Sequence, residues 1–302
     1  MLKVLTNDGL QDQAIETLKN LGVEVVNDHI DQDSLGEKLK DFDAVVIRSA
    51  TKITKDVIDS ENGGNLKLVV RAGVGIDNID KAYAESKGLT VRNTPHASSN
   101  SVAELALAHM FALARYVAIS NVTMRNGEWN KKKYKGVEIL GKTLGIVGMG
   151  RIGRSLAEKA TALGMKVVYT DIFGKDDKLP YEFKSLEDLL KVSDFISLHV
   201  PYDKNAGSLI GKRELALMKK TAFVINCARG KVVDEAALLE ALDNDEIAGA
   251  GIDVYEKEPT NNEKLINNPK VSVTPHIGAS TKEAQTRIGE EVVSVLKEFF
   301  KL

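Results

Sequence analysis

The chain has 302 residues, 43% of them hydrophobic and 28% charged, with a net charge of -2 and one cysteine, Cys227. That is apolar material for two cores and no global field to draw in nucleic acid or an anionic membrane. With no internal disulfide possible, a reducing cytoplasm fits.

Residues 1–8 lack the basic and long apolar regions of a secretion signal and read as a strand. Further strands are expected at 23–26, 44–47, 68–70 and 90–91, with helices such as 11–21 and 80–86 between them. Gly22 and Gly88 punctuate the helix ends. The alternation reads as a complete βα domain on a parallel sheet. Its first turn carries no glycine fingerprint, so no cofactor is assigned to it.

A stretch rich in turn formers, 93–100, marks the crossing to a second domain. Ser101-Val102-Ala103-Glu104 reads as a capping box. The helix expected near 102–119 is apolar almost all round, through Leu105, Leu107, Met110, Phe111 and Leu113. Such a helix must be buried on several sides, inside its domain or, the favoured reading, at a subunit interface. Glu104, His109, Arg115 and its length argue against a membrane span.

The central motif comes next. The apolar run 144–147 looks like a buried strand, and Gly148-Met149-Gly150-Arg151-Ile152-Gly153 reads G-x-G-x-x-G. A helical pattern ends at Gly164, a second strand occupies 166–169, and Asp171 lies about 20 residues beyond the glycines. The first glycine allows a tight turn, the second admits a pyrophosphate to the backbone, and the third lets helix and strand pack closely. Asp171 would bind ribose hydroxyls and repel a 2′-phosphate, so NAD is expected rather than NADP.

Strands are expected at 195–198, 223–226, 250–252 and 271–273, and a last helix at 281–300. If that helix packs back on the first domain, the first domain is discontinuous, as 1–96 and 280–302 around a dinucleotide-binding domain of 97–279. Ligands of open α/β sheets bind beyond strand carboxyl ends. Arg229, Asp253, Glu258 and His276 all come after strands in this half. An arginine suits a substrate carboxylate or keto oxygen. A histidine can exchange the hydroxyl proton as hydride moves, and a glutamate can orient it.

These residues resemble the D-isomer-specific 2-hydroxyacid dehydrogenases over essentially the whole chain. The matching stretches are Arg48-Ser49-Ala50-Thr51, Arg71 to Asn78, Ser101 to Glu104, Gly148 to Gly153, Asn226 to Gly230, Asp253 to Pro259 and Thr274 to Gly278. The resemblance implies an α/β fold of two Rossmann-like or flavodoxin-like domains with parallel sheets and a cleft between them. It implies Arg229, Glu258 and His276 as the catalytic set, with His276 the acid/base. NAD would meet Val74, Gly148, Gly150, Arg151, Ile152, Gly153, Asp171, Val200, Cys227, Ala228, Arg229, Asp253, His276, Ile277, Gly278 and Ala279. Substrate would meet Arg48, Ser49, Gly73, Val74, Gly75, Asn100, Arg229 and His276, with Lys131 reaching across a homodimer.

Within the family the chain is most similar to members that oxidise D-3-phosphoglycerate to 3-phosphohydroxypyruvate, the first step of serine synthesis. A phosphate needs extra cations, for which Arg48, Lys52 and Lys131 to Lys133 are candidates. Larger members add a serine-binding regulatory domain; the chain ends at Leu302, so no such feedback is expected. The alternatives are a glyoxylate or hydroxypyruvate reductase or another D-2-hydroxyacid dehydrogenase and, from a different class, an NAD(H)-sensing corepressor. The complete Arg-Glu-His set argues against a pure sensor.

Of the five histidines, only His276 lies in a matching strand-end motif. His199 and His96 read as structural, His109 as a hydrogen-bonded interface residue and His29 as exposed. Cys227 fits the cofactor's edge better than a nucleophile's place. Acids and histidines do not fall at metal-ligand spacing.

Overall fold

Short aliphatic runs such as Ala44–Ile47 are buried along their whole length, which requires a sheet covered on both faces. A computed structural model describing residues 1–302 places these runs in two parallel sheets, one in each of two units. One unit comprises Met1–Ser98 with Ala279–Leu302, the other Ser99–Gly278. The expected division at 96/97 and 279/280 therefore shifts by one or two residues.

The first unit contains β1 (Lys3–Thr6), α1 (Asp12–Asn20), β2 (Glu24–Val26), α2 (Gln32–Leu39), β3 (Ala44–Ile47), α3 (Lys55–Glu61), β4 (Leu68–Arg71), α4 (Lys81–Ser86) and β5 (Thr90–Asn93). The second contains α5 (Ser99–Ala114), α6 (Val117–Arg125), β6 (Thr143–Val147), α7 (Arg151–Ala162), β7 (Lys166–Thr170), β8 (Glu182–Phe183), α8 (Leu186–Val192), β9 (Phe195–Leu198), α9 (Lys212–Leu217), β10 (Phe223–Asn226), α10 (Glu235–Asp243), β11 (Gly249–Ile252), α11 (Glu263–Ile266) and β12 (Val271–Val273). The chain then returns to the first unit as α12 (Lys282–Phe300).

The five-stranded sheet runs β2-β1-β3-β4-β5. The two-residue period of β3 splits its core. Val45 and Ile47 pack with Leu35, Leu39, Val57 and Ile58 from α2 and α3. Ala44 and Val46 pack with Leu18 of α1 and with Ile288, Val292 and Leu296 of α12. These three α12 side chains are essentially inaccessible. Each contributes about 1.5–3 kcal/mol by that burial. Thr281 caps α12, its side chain accepting from the Ala284 amide at 3.1 Å.

The seven-stranded sheet runs β12-β11-β10-β9-β6-β7-β8. One face packs on α5 and α7 through Ala106, Met110, Leu156 and Ala160, and the other on α8 and α10 through Leu189, Leu190, Leu238 and Leu242. Its strand order reverses between β6 and β9, whose carboxyl ends therefore flank the switch point where such sheets bind ligands.

Two expectations need correction. The helix expected to run to 119 stops at Ala114; Tyr116 adopts a left-handed φ of 54°, and α6 leaves at a 64° bend. The capping box does not form, because α5 already begins at Ser99 and Ser101 lies within its first turn. The Glu104 carboxylate instead accepts from Asn100 Nδ2 at 2.7 Å. No single helix is long and apolar enough to cross a membrane; the bent α5–α6 pair passes on length and composition together.

Candidate active site

Gly148 directly follows β6 and has a φ of 95°. A Cβ here would stand 2.5 Å from the His199 carbonyl oxygen and 2.8 Å from Val200 Cγ1. The end of β6 therefore lies against the backbone just beyond β9, and only glycine fits. At Gly150 the demand is different: a Cβ would meet nothing within 4 Å, so the backbone faces open space. This is what approach of a pyrophosphate requires. A Cβ at Gly153 would strike the Gly148 carbonyl oxygen and stand 3.2 Å from Ile146 Cγ2, so α7 packs hard on its strand. The first amides of α7 and its dipole favour an anion at this turn.

Asp171 comes directly after β7, held beside the same turn. Its Oδ2 accepts from the Met149 amide at 2.7 Å and its Oδ1 from the Phe173 amide at 3.0 Å. A carboxylate fixed there would repel a 2′-phosphate. Ile172 and Phe173, 89% and 91% exposed, present an apolar pair beside it. Sequence reasoning passed over this pair, although two large apolar residues after a strand-end acid are a visible signal.

The loops after β10, β11 and β12 carry the Arg-Glu-His set. Asn226 turns back on its own loop: Nδ2 donates to the Arg229 carbonyl at 2.9 Å, and Oδ1 accepts from the Ala228 amide at 3.1 Å. This fixes Cys227, Ala228 and Arg229. A Cβ at Gly230 would overlap the Tyr255 carbonyl, so this loop lies directly on the one after β11. From that second loop, Glu258 Oε1 accepts from the Tyr255 amide at 3.0 Å, and Oε2 accepts from His276 Nδ1 at 2.6 Å. With Nδ1–H committed to the carboxylate, Nε2 is the nitrogen available for proton exchange.

Burial alone would raise the Glu258 carboxyl. Hydrogen bonds from His276 and the Tyr255 amide, with the charges of His276 and Arg229, outweigh burial and hold it below the usual carboxylate range. The carboxylate therefore stays charged opposite His276.

His276 sits in a left-handed conformation, φ 55°, which costs a non-glycine residue on the order of 1 kcal/mol. Buried Asp253 holds the turn. Its Oδ1 accepts from the Thr274 hydroxyl at 2.6 Å and the Ile277 amide at 2.8 Å, and its Oδ2 accepts from the Gly278 amide at 2.9 Å. The Tyr255 hydroxyl donates to the Thr274 carbonyl at 2.9 Å. Thr274 and Tyr255 were not singled out from sequence as supports, because their partners lie on other loops.

Asn100 is engaged on the helices, donating to Glu104 and accepting from Lys159 Nζ at 2.5 Å. Lys131 is exposed in a short 3-10 turn, Lys131–Lys133. Cys227 is buried; burial, then the charge of Asp253, pushes its thiol up and leaves it inert as a nucleophile. His109 needs correction: it is buried within its own unit and bonded to Ser272 and Thr274, so it is not an interface residue. His199 is pushed down to about 4 by burial, its Nε2 3.0 Å from Ser197 Oγ. His29 and His96 are exposed.

Arg48, Ser49, Gly73, Val74, Gly75 and Ala279 belong to the five-stranded unit. Arg48 lies just past β3 and, with Lys282 and Gln285 at the start of α12, lines a hollow of about 500 Å³. The loop after β4 is pinned from β5: the Thr94 amide donates to the Gly73 carbonyl at 3.1 Å, and Asn93 Nδ2 to the Val74 carbonyl at 2.6 Å.

Moving a hydride to or from a carbon–oxygen bond requires a nucleotide cradle and a group able to exchange a proton, and the seven-stranded unit offers both, as in nicotinamide-dependent dehydrogenases. A family model described as the NAD-binding domain of D-isomer specific 2-hydroxyacid dehydrogenases matches residues 107–278, and the chain belongs to that family of NAD-dependent oxidoreductases. It is 45% identical over 301 residues to the hydroxypyruvate reductase of Thermotoga maritima, covering 98% of each chain. It is 42% identical to the D-3-phosphoglycerate dehydrogenase of Methanocaldococcus jannaschii, covering 100% of this chain but 58% of that protein. The D-lactate dehydrogenase of Aquifex aeolicus, solved with NAD and lactic acid, superposes with a TM-score of 0.86 at 32% identity, over 99% of this chain and 95% of that one.

Proposed function

We propose that the chain interconverts D-3-phosphoglycerate and 3-phosphohydroxypyruvate with NAD(H), the opening oxidation of serine synthesis. The observation that carries the chemistry is the 2.6 Å bond from His276 Nδ1 to Glu258, on the same strand-end rim as the glycine turn. NAD(H), when bound, supplies or accepts the hydride. His276 Nε2 takes the hydroxyl proton in oxidation and returns it to the keto oxygen in reduction, while Glu258 keeps the ring oriented and balances its charge. Arg229 holds the substrate carboxylate or polarises the keto oxygen. Backbone amides at Gly73 to Gly75 receive the carboxylate, with Ser49 and Asn100 as further polar contacts.

Gly148, Gly150, Gly153, Arg151 and Ile152 take the pyrophosphate, and Asp171 takes the adenosine ribose. Val74, Val200, Cys227, Ala228, Asp253, Ile277, Gly278 and Ala279 surround the rest. Arg48 supplies the cation for the phosphate from the five-stranded unit. Its backbone amide is held by Asp8 at 2.6 Å, so its position is fixed at the strand end. Lys131 adds charge from a partner subunit. The second copy docks on α6, where Val117, Val122 and Met124 are exposed, as is the neighbouring Trp129.

The second reading is a hydroxypyruvate reductase, favoured by the full-length match to the Thermotoga maritima protein. NADH oxidation with 3-phosphohydroxypyruvate, hydroxypyruvate, glyoxylate and pyruvate separates the two. A preference in kcat/KM for the phosphorylated acid that falls at least tenfold in Arg48→Gln supports the first reading. A preference for hydroxypyruvate that Arg48→Gln leaves intact supports the second. NADH binding without turnover of any of the four overturns both.

A further inference from the structure

The two ring nitrogens of His109 reach two hydroxyls on one face of the same strand segment. Nδ1 lies 2.9 Å from Ser272 Oγ and Nε2 3.1 Å from Thr274 Oγ1. Residues two apart on an extended chain share a face, which turns both hydroxyls toward α5. The ring fits because β11 carries Gly251 beneath it, where a Cβ would stand 2.7 Å from His109 Cβ. His109 is 2% exposed, set among Ala106, Met110 and Leu113 on the buried side of α5.

The hydrogens of this cluster are dictated by its acceptors. Asp253, as a carboxylate, only accepts. Thr274 therefore gives its one hydroxyl hydrogen to Asp253 Oδ1 and offers His109 a lone pair. Nε2 must then carry the imidazole hydrogen. Burial pushes His109 down against the pull of the Asp253 charge, so the ring is neutral and Nδ1 accepts from Ser272. The donations run in one direction, from Ser272 through His109 and Thr274 to Asp253. Asp253 in turn holds the amides of Ile277 and Gly278, the two residues immediately after left-handed His276.

We propose that His109 is a positioning residue that sets the orientation of His276 through Thr274 and Asp253. It touches neither substrate nor cofactor, and the inference rests on the reading of His276 as the proton-exchanging group. Aligned hydrogen bonds polarise one another, so removing the His109 link weakens the donation from Thr274 to Asp253. A small displacement of a reacting group costs far more in rate than in binding.

Three variants test it: His109→Gln, whose amide nitrogen can stand in for Nε2; His109→Asn, which reaches Ser272 but not Thr274; and His109→Leu, which reaches neither. For each, kcat is measured with 3-phosphohydroxypyruvate or hydroxypyruvate, whichever wild type turns over faster, alongside NADH Kd by fluorescence and the melting temperature. The expected result is a kcat loss of about tenfold in Asn and Leu, with NADH Kd within about twofold of wild type and most of kcat restored in Gln, even where Gln melts no higher than Asn. Unchanged kcat in a folded Asn variant overturns the relay, as does a Gln variant no faster than Asn. His276→Asn is run beside them. Wild-type turnover there overturns the underlying role of His276, whereas loss of turnover there with a normal His109→Asn overturns only the relay.

Discussion

The two sheets, of five and seven strands, share a parallel plan and differ in the turn at the strand-order reversal. Each reverses its strand order once, between β1 and β3 in one and between β6 and β9 in the other. Each reversal leaves an anion-favouring position at strand carboxyl ends. In the five-stranded unit the anion is built in. Asp8, just past β1, reaches across the reversal and accepts from the amides of Arg48 at 2.6 Å and Thr51 at 3.2 Å and from the Thr51 hydroxyl at 2.6 Å. The corresponding turn of the seven-stranded unit carries glycines, and Gly150 opens to space. An aspartate takes amide donors at both turns, but the turn of the seven-stranded unit adds the glycine fingerprint that leaves backbone open to space at Gly150, while the topology is shared.

The largest effect expected from breaking this contrast is at Gly148. Gly148→Ala drives a Cβ onto the His199 carbonyl at a positive φ, and should abolish NADH binding while lowering the melting temperature. Gly9→Ala, in the corresponding turn of the other unit, has a φ of 78° but meets nothing within 4 Å. It should cost only about 1 kcal/mol and leave NADH Kd unchanged. Fluorescence titration and thermal melts compare the pair directly; equal losses of NADH affinity would erase the distinction. Next in size is Asp8→Asn, which weakens a cluster of charge-assisted hydrogen bonds and should cost about 1–3 kcal/mol in urea unfolding. NADH affinity should not change with it, and a parallel fall would show that Asp8 serves the cofactor.

The smallest effect is a pH slope arising in the seven-stranded unit. Burial lowers His199 from an ordinary 6.5 to about 4. Between those values the unfolded chain binds more protons than the folded one, so stability is full above about pH 6.5 and falls as pH drops toward 4. His199→Asn should flatten that slope in urea midpoints taken at pH 7 and pH 5. An unaltered slope would assign it elsewhere.

Much of this was readable in the residue string because it depends on local rules. The strand runs obey simple periodicity, and the three glycines and Asp171 fall at spacings imposed by one βαβ unit. The Arg-Glu-His set stands out because ligands bind beyond strand carboxyl ends, and these polar residues sit just past apolar runs. Features that depend on distant partners were not readable. The break at Tyr116 replaces what periodicity suggests is one long helix, since the apolar pattern continues through a residue that turns left-handed. Ser101 and Glu104 match a capping box, but nothing local shows that the helix has already begun at Ser99. His109 reads as an oddity in an apolar helix, and its meaning depends on hydroxyls 163 and 165 positions away.

The return of α12 to the first sheet has a consequence in time. Ile288, Val292 and Leu296 complete the core on one face of a sheet whose strands come from the first 93 residues. A ribosome makes those strands before the covering helix, with the whole seven-stranded unit emerging between them. Chains fold as domains become complete during synthesis. The unit made second therefore has all its parts before the unit made first, and the face of the early sheet that carries Ala44, Val46 and Leu68 stays uncovered by α12 until the seven-stranded unit has been made.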